Sequence, residues 1–575
     1  MYALAQIKKE ISANLSLVLN KTISPDDLMP TPNPEMGDLG LAIFPLAKEL
    51  RENPAELASK IAEQYPKTEI IKAQATGPYL NFFITCSGFS KKIISQILET
   101  KENYGQSEIG QKEKIVLEFS NVNTHKEYHV GHLRNVCYGD SVTKILNASG
   151  FEAVPISYVN DFGIHVAKTL WDLDAYVQEN LNGKKPEDLS EDERGFLLGK
   201  VYVDASQKEK ADPSKTEIIG QWKQKIESRN SEEYALWQKT RLWSIALFAS
   251  TYQDLNIKFK DTIYESEVVD EGKKIADELL AKGILKKSEG AVIADLKEYN
   301  LEVLVFIRSN GTATYSVADL ALSREKHQRY NPDKSIVIVD NRQDLYFKQL
   351  FKVLELSGFS EKFLHLGYDI VKLPSGLMSS RTGNVVTFRD LKKDVLTACE
   401  NETKKRHEDW SEEKIKNNAL KISLGSIKFE MLKVEAQSVI TFDIEKALSL
   451  EGFTSAYIQY AYARIQSIFR KIGNWQLEIG NLDFSKLTEG KEKELLKKLA
   501  YYPEIVEKAA TNYNPSEIAK YTYELAQMLN DYYHAVPVSS AEEETKKARL
   551  ALLSAVAQVI KNGLGLLGIE TVEEM

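Results

Sequence analysis

Four residues, His129-Val130-Gly131-His132, carry the sharpest chemical signal in the chain. Two imidazoles separated by Val-Gly can both face one bound phosphate, because the small residue lets backbone and ligand come close. A second polar turn, Gly376-Leu377-Met378-Ser379-Ser380-Arg381-Thr382-Gly383-Asn384, lies far downstream and offers hydroxyls and one guanidinium. Those groups suit phosphate oxygens. Taken singly, the first motif fits a structural histidine pair equally well, and the second fits a surface turn. Chemistry requires a fold that joins them.

The elements around them supply one. Lys114 to Ser120 alternates and is β-rich, which predicts a strand, and Leu133 to Ser149 predicts an amphipathic helix stopping near Gly150. A strand, a glycine-containing turn and a helix N-terminus form an anion site at the edge of an α/β sheet. Strands are expected at 115–119, 153–159, 303–308, 335–340 and 363–371, alternating with helices as in a parallel sheet with crossovers. The gap between the second and third is too long for a loop and reads as an inserted subdomain at about 170–300, containing a helix near Trp237 to Tyr252. From about Arg389 onward helical periodicity dominates, through Ala456–Arg470, Pro515–His534 and Glu542–Leu567. The expected fold is multidomain α/β. A small α+β N-terminal domain (1–110) precedes a split Rossmann-type parallel-sheet domain (111–388), a helical connector (389–443) and an all-helical C-terminal domain (444–575).

Composition narrows the class. With 43% hydrophobic and 27% charged residues, the 575-residue chain is an ordinary globular protein. Its net charge of -9 excludes a global basic field, so any RNA contact must come from local basic faces, and DNA is not expected. Cys86, Cys137 and Cys399 are isolated, which argues against structural zinc and disulfides and for a reducing cytoplasm. Met1 to Leu19 lacks the apolar core of a secretory signal, and no apolar run approaches the ~18 residues of a membrane span.

The order of the two turns across a split nucleotide-binding sheet resembles the class I aminoacyl-tRNA synthetases, with their HIGH and KMSKS signatures. Within that class the chain is similar to the arginyl-tRNA synthetases from end to end. Glu118-Phe119-Ser120 through Asn123 and on to HVGH-Leu133-Arg134 resembles the family's first signature region. Tyr158-Val159-Asn160-Asp161-Phe162-Gly163 stands where the family has Asn-Asp-x-Gly, and Ala313–Asp319 and Asp340–Asp344 match two pocket segments. Tyr457–Arg464 and Leu529–His534 are similar to the anticodon-binding domain, and the GDLG and TGPYLNF elements to the family's extra N-terminal domain, which contacts the tRNA elbow.

The resemblance implies attachment of L-arginine to tRNA(Arg) through an arginyl-adenylate, with ATP as substrate, Mg²⁺ accompanying its phosphates and no structural zinc. It places ATP against His129, Gly131, His132, Met378, Ser379, Ser380 and Arg381. His129, His132, Lys126 and Arg381 are the expected catalytic groups. Arginine would meet Glu118, Ser120, Asn123, His129, Glu265, Tyr315, Asp319 and Gln343, and tRNA would meet Tyr460 and Arg464. A planar, always-charged fork is best held by carboxylates and a placed hydroxyl, which singles out Asp319 with Tyr315. Each residue also has a plainer use: Asp319 or Gln343 as helix caps, Glu118 paired with a core Arg, Lys126 as a solvated lysine. Two departures stand out. The second signature has no lysine, and Lys126, just before HVGH, stands where arginyl enzymes place a compensating one; His165 replaces a common Gln. A cytoplasmic monomer bound to no membrane is expected. Another class I synthetase, or a non-catalytic tRNA-binding paralogue, remains an alternative.

Overall fold

The computed structural model describes residues 1–575 apart from 32–33, 67, 69–70, 373–385 and 474–481. The second signature, with Met378, Ser379, Ser380 and Arg381, therefore lies outside the described residues.

The N-terminal unit packs α1 (Ala3–Leu19), α2 (Phe44–Leu50), α3 (Pro54–Gln64) and α4 (Cys86–Thr100) against an antiparallel sheet. Its strands β1 (Met29–Pro30), β2 (Leu39–Ala42), β3 (Ile71–Thr76) and β4 (Tyr79–Ile84) run in the order β1-β2-β4-β3.

The central sheet is parallel throughout. It is built from β5 (Lys114–Glu118), β6 (Val122–Asn123), β7 (Glu152–Asn160), β8 (Asp261–Tyr264), β12 (Lys334–Asp340) and β13 (Lys362–Tyr368). Its order is β13-β12-β5-β7-β6, with β8 also on β7. Both faces are covered, so its strands are apolar on both sides. Ile115, Leu117, Ile336 and Ile338 pack with α5 (Val130–Ala148) in one core, while Val116, Val337 and Val339 enter the other. That second core lies under α10 (Glu265–Ala281), α11 (Tyr315–Tyr330) and α12 (Asp344–Leu356).

Between β7 and β8 the chain leaves the sheet as four helices with a core of their own: α6 (Ile164–Asn180), α7 (Glu191–Ala211), α8 (Lys215–Glu227) and α9 (Glu232–Asp254). It returns to the sheet at β8, well inside the stretch that the sequence presents as one insertion. A four-residue strand is too short for its alternation to register. The expected strand at 303–308 forms, as Val303–Ile307 (β11), but in a separate antiparallel sheet with β9 (Lys286–Ser288) and β10 (Ala291–Asp295). A short apolar run predicts a strand without saying which sheet receives it.

After β14 (Val371–Lys372), helices α13 (Phe388–Arg406) and α14 (Glu412–Leu432) form the connector, with β15 (Ile440–Thr441) pairing back on β14. The short α15 (Ile444–Ala447) leads to the C-terminal bundle of α16 (Ser455–Ile472), α17 (Gly490–Thr511), α18 (Pro515–Ala535) and α19 (Glu543–Leu566). One continuous core runs from the N-terminal unit through one face of the sheet and the connector into that bundle.

Arg134, inside α5, ties these parts together. Its buried guanidinium donates to the carbonyls of Asp369 (2.6 Å), Ser438 (2.7 Å), Ala436 (2.9 Å) and Glu435 (3.2 Å). Arg134→Met removes the donors and strands buried carbonyls that each cost roughly 1–3 kcal/mol. The expected loss, read as a lower urea midpoint at unchanged slope, is about 3 kcal/mol or more.

Candidate functional site

The HVGH motif forms the start of α5. His129 is the N-cap, its Nδ1 accepting from the Gly131 N–H at 3.1 Å, and His132 Nδ1 accepts from the His129 N–H at 3.3 Å. The two imidazoles thus perform the capping that Ser and Glu perform elsewhere. Their rings stack, centroids 3.8 Å apart at 17°. With each Nδ1 acting as acceptor, the ring proton belongs on Nε2, so the pair offers two N–H donors at a helix N-terminus. Burial, reinforced by the nearby Lys126 ammonium, pushes His129 down to about 4, and burial pushes His132 well below its ordinary value. Both are neutral at pH 7. A Cβ at Gly131 would lie 3.0 Å from the His129 ring, so the glycine makes room for the ring as well as for a ligand.

The flanks of the second signature run beside this motif. The Val130 N–H donates to the Val386 carbonyl at 3.3 Å, the Phe388 N–H to the Tyr128 carbonyl at 2.9 Å, and His129 bridges Thr387. On the other side β14 enters the segment from the Asp369–Ile370 turn that Arg134 holds.

Beyond the ends of β5 and β7 lies a cluster of carboxyls. Asp319, on α11, accepts a hydrogen bond from the Tyr346 hydroxyl, and burial with Glu118 and Glu265 nearby pushes it up to about 7. Glu265, first residue of α10, accepts from the Phe162 N–H at 3.3 Å, and burial with Asp161 nearby lifts it to about 7 as well. Tyr315 opens α11, 62% exposed, its ring 4.7 Å edge-on to Tyr346. Two further carboxylates carry their own cations. Glu118 takes the Lys326 ammonium at 2.7 Å and the Asn121 amide at 2.7 Å, in a fully buried pair. Asp161 takes the Arg241 guanidinium, the Ser266 N–H at 2.9 Å and the Ser266 hydroxyl at 2.8 Å. Among the described residues no Lys or Arg lies within ion-pair distance of Asp319 or Glu265.

The other expected residues fall as follows. Ser120 sits buried at φ +58, its hydroxyl 2.7 Å from that of Tyr252. Asn123 ends β6 beside Asn160. Gln343 is exposed at the N-cap position of α12 but its side chain makes no capping hydrogen bond, and Asp319 lies within α11 and not at its start. Glu118 does sit in a buried ion pair, but its partner is Lys326 and not the expected arginine. Lys126 lies near both histidines, its ammonium 4.7 Å from the centroid of the Tyr202 ring. His165 places Nε2 3.2 Å from the Asn160 carbonyl, closing the turn after β7. In the C-terminal bundle Arg464 donates to Asn530 at 2.8 Å and to the Tyr460 hydroxyl at 3.1 Å, with the Tyr533 ring 4.7 Å away and 40% exposed. Tyr346, Lys326 and Arg241 belong to the site and were not singled out in the sequence. Among the described residues no group of three or more His, Cys, Asp or Glu is placed to hold a metal ion.

Comparison with known proteins places this geometry in context. Residues 93–444 match the family model described as tRNA synthetases class I (R), catalytic domain. Residues 458–575 match the DALR anticodon binding domain, and 5–84 the arginyl tRNA synthetase N terminal domain. An arginine–tRNA ligase of Bdellovibrio bacteriovorus is 34% identical over 560 residues, 95% of this chain and 94% of that one. One from Clostridium perfringens is 35% identical over 547 residues, covering 95% of each. Among solved structures, Thermus thermophilus arginyl-tRNA synthetase superposes with a TM-score of 0.80 at 27% identity, over 99% of this chain and 100% of that chain.

Proposed function

The chain belongs to the arginyl-tRNA synthetase family, and from that premise we propose how its residues divide the work of joining L-arginine to tRNA at the expense of ATP. The single observation that carries the assignment of the amino-acid pocket is a pair of carboxyls, Asp319 and Glu265, with no ion-pair partner among the described residues; they form the proposed slot. A guanidinium brings the charge they lack and a flat fork that two acceptors can grip. Glu118, held by Lys326, and Tyr315 at the rim complete the slot, with Ser120, Asn123 and Gln343 around the polar ends of the substrate. Lysine carries the charge without the fork, and citrulline the shape without the charge.

In the first step the arginine carboxylate oxygen attacks the α-phosphorus of ATP, and the bond to pyrophosphate breaks. The neutral His129 and His132 donate their Nε2–H groups to phosphate oxygens, and Lys126 adds positive charge. Gly131 leaves room for the approach, and Met378, Ser379, Ser380 and Arg381 are the proposed contribution of the second signature. Mg²⁺ bound to the ATP phosphates would screen their charge. The 2′-hydroxyl of the terminal adenosine of tRNA then attacks the carbonyl carbon of the arginyl-adenylate, the bond to phosphate breaks and AMP leaves, while Tyr460 and Arg464 present an aromatic and cationic face to the anticodon region. The same reading takes the enzyme as a cytoplasmic monomer that binds neither DNA nor a membrane. No described helix is long and apolar enough to cross a membrane.

An aminoacylation screen of all twenty amino acids against total tRNA tests the assignment. Charging of tRNA(Arg) with arginine alone is expected; preferential charging with any other amino acid rejects the slot as described.

A further inference from the structure

The loop that carries Lys126, residues 124–128, takes its shape from the inserted helices. His125 sits fully buried at φ +59, where a side chain needs strong local support. Its N–H donates to the Ser244 hydroxyl of α9 at 2.9 Å, and its ring nitrogens lie 2.9 Å from the hydroxyls of Thr124 and Thr240. Burial pushes this imidazole down to about 3, so it is a neutral strut. Gly199 of α7 lies so close to the loop that a Cβ there would meet Glu127 Cγ at 2.1 Å. One turn further along the same helix, the buried Tyr202 faces the Lys126 ammonium at 4.7 Å. The other cation near that ring, Lys168 at 5.8 Å, is paired with Glu209 at 2.5 Å.

We propose that Tyr202 is a positioning residue of the activation step, its ring holding the Lys126 ammonium beside the His129–His132 pair so that the inserted helices set the cation of the phosphate site. The inference rests on the reading of Lys126 given above and adds to it the device that orders the side chain. A lysine side chain loses considerable rotamer freedom when it is fixed, and an aromatic face offsets that loss. Unlike a carboxylate, it attracts the ammonium without neutralising the charge that a phosphate needs. The close approach at Gly199 ties the loop to α7 and the buried His125 ties it to α9, so a displacement of the insertion moves Lys126 with it.

The test is the single-turnover rate of arginyl-tRNA formation by the full chain, with Tyr202→Leu and Tyr202→Phe made in the native and in the Lys126→Met background. In the native background Tyr202→Leu is expected to slow the step about tenfold, the scale of one desolvated cation–π contact, with the arginine KM unchanged. Tyr202→Phe is expected to keep most of the rate. In the Lys126→Met background Tyr202→Leu is expected to add nothing, because the ring then holds no ammonium of the phosphate site; Lys168 is fixed by Glu209. Losses that multiply in the double variant overturn the proposal and make Tyr202 a packing residue; an unaltered rate in Tyr202→Leu overturns it too. A Lys126→Met enzyme of native rate removes the phosphate reading itself, a result distinct from either. Should Tyr202→Leu not fold, Tyr202→Met carries the same comparison.

Discussion

Asp319→Asn is expected to raise the arginine KM on the order of 10²- to 10³-fold, the scale of losing one partner of a desolvated charge pair, with little change in the ATP KM. Asparagine keeps the size of the side chain and an acceptor for the Tyr346 hydroxyl, so packing is preserved and the charge alone is lost. The same substitution has a pH signature. In the free protein Asp319 and Glu265 both sit near 7, chiefly through burial. A guanidinium favours their ionised forms, so arginine binding releases protons at neutral pH and weakens as the pH falls below about 7. Each group involved steepens that dependence by up to about tenfold per pH unit. Asp319→Asn flattens it. Isothermal titration at pH 7 in two buffers of different ionisation heat measures the release directly, and identical heats in both buffers would remove the slot as the guanidinium site. Stability follows the same linkage with the opposite sign. A carboxyl whose folded value lies above its unfolded one binds more protons when folded, so its contribution is complete at low pH. That contribution is lost as the pH rises from the ordinary 3.8 through about 7. The arginine-free protein therefore melts at a lower temperature at pH 8 than at pH 6 on this account, and arginine or Asp319→Asn narrows the gap.

Which of these groups the sequence disclosed depends on how local their partners are. The HVGH cap is local: strand, turn and helix start are contiguous, so residue types and spacing suffice to place it. Asp319 and Tyr315 share one face of α11 by their four-residue spacing, and that too was legible. The hydrogen bond from Tyr346 was not, because it joins two helices whose packing the sequence does not specify. Lys326 had a usable signal. It stands seven residues after Asp319 on α11, two helical turns along the same buried face, where a lysine needs a counter-charge. Arg241 had none, since a basic residue on a charged helix reads as solvated until β7 and α10 bring Asp161 and Ser266 to it. The same distinction governs the strands. β5, β7, β12 and β13 are long apolar runs that declare themselves, whereas β8 is too short and β11 declares a strand but not its sheet.

His132→Ala is expected to lower kcat about 10²-fold, the scale of one preorganised donor lost from a site of developing charge. Two effects contribute to that loss and differ in size. The backbone N–H of His129 loses its acceptor, which loosens the helix cap by about 1 kcal/mol. The phosphate site loses an Nε2–H donor held rigidly by that same cap, and this accounts for most of the drop in rate. His132→Asn separates them, because its amide reproduces the short-range cap but reaches less far toward a phosphate; melting temperature should recover while kcat does not. The stacked pair also fixes the pH dependence of the step. With burial and the Lys126 charge holding His129 near 4 and His132 well below its ordinary value, neither imidazole titrates between pH 6 and 8. The wild-type rate at saturating arginine and ATP should therefore show no limb near 6.5, the ordinary value for histidine. A limb there that vanishes in His132→Ala would mean that the working form is imidazolium. The pair would then act as a charge, and two stacked cations 3.8 Å apart could not both carry one, so a single histidine would have to do the work assigned to two.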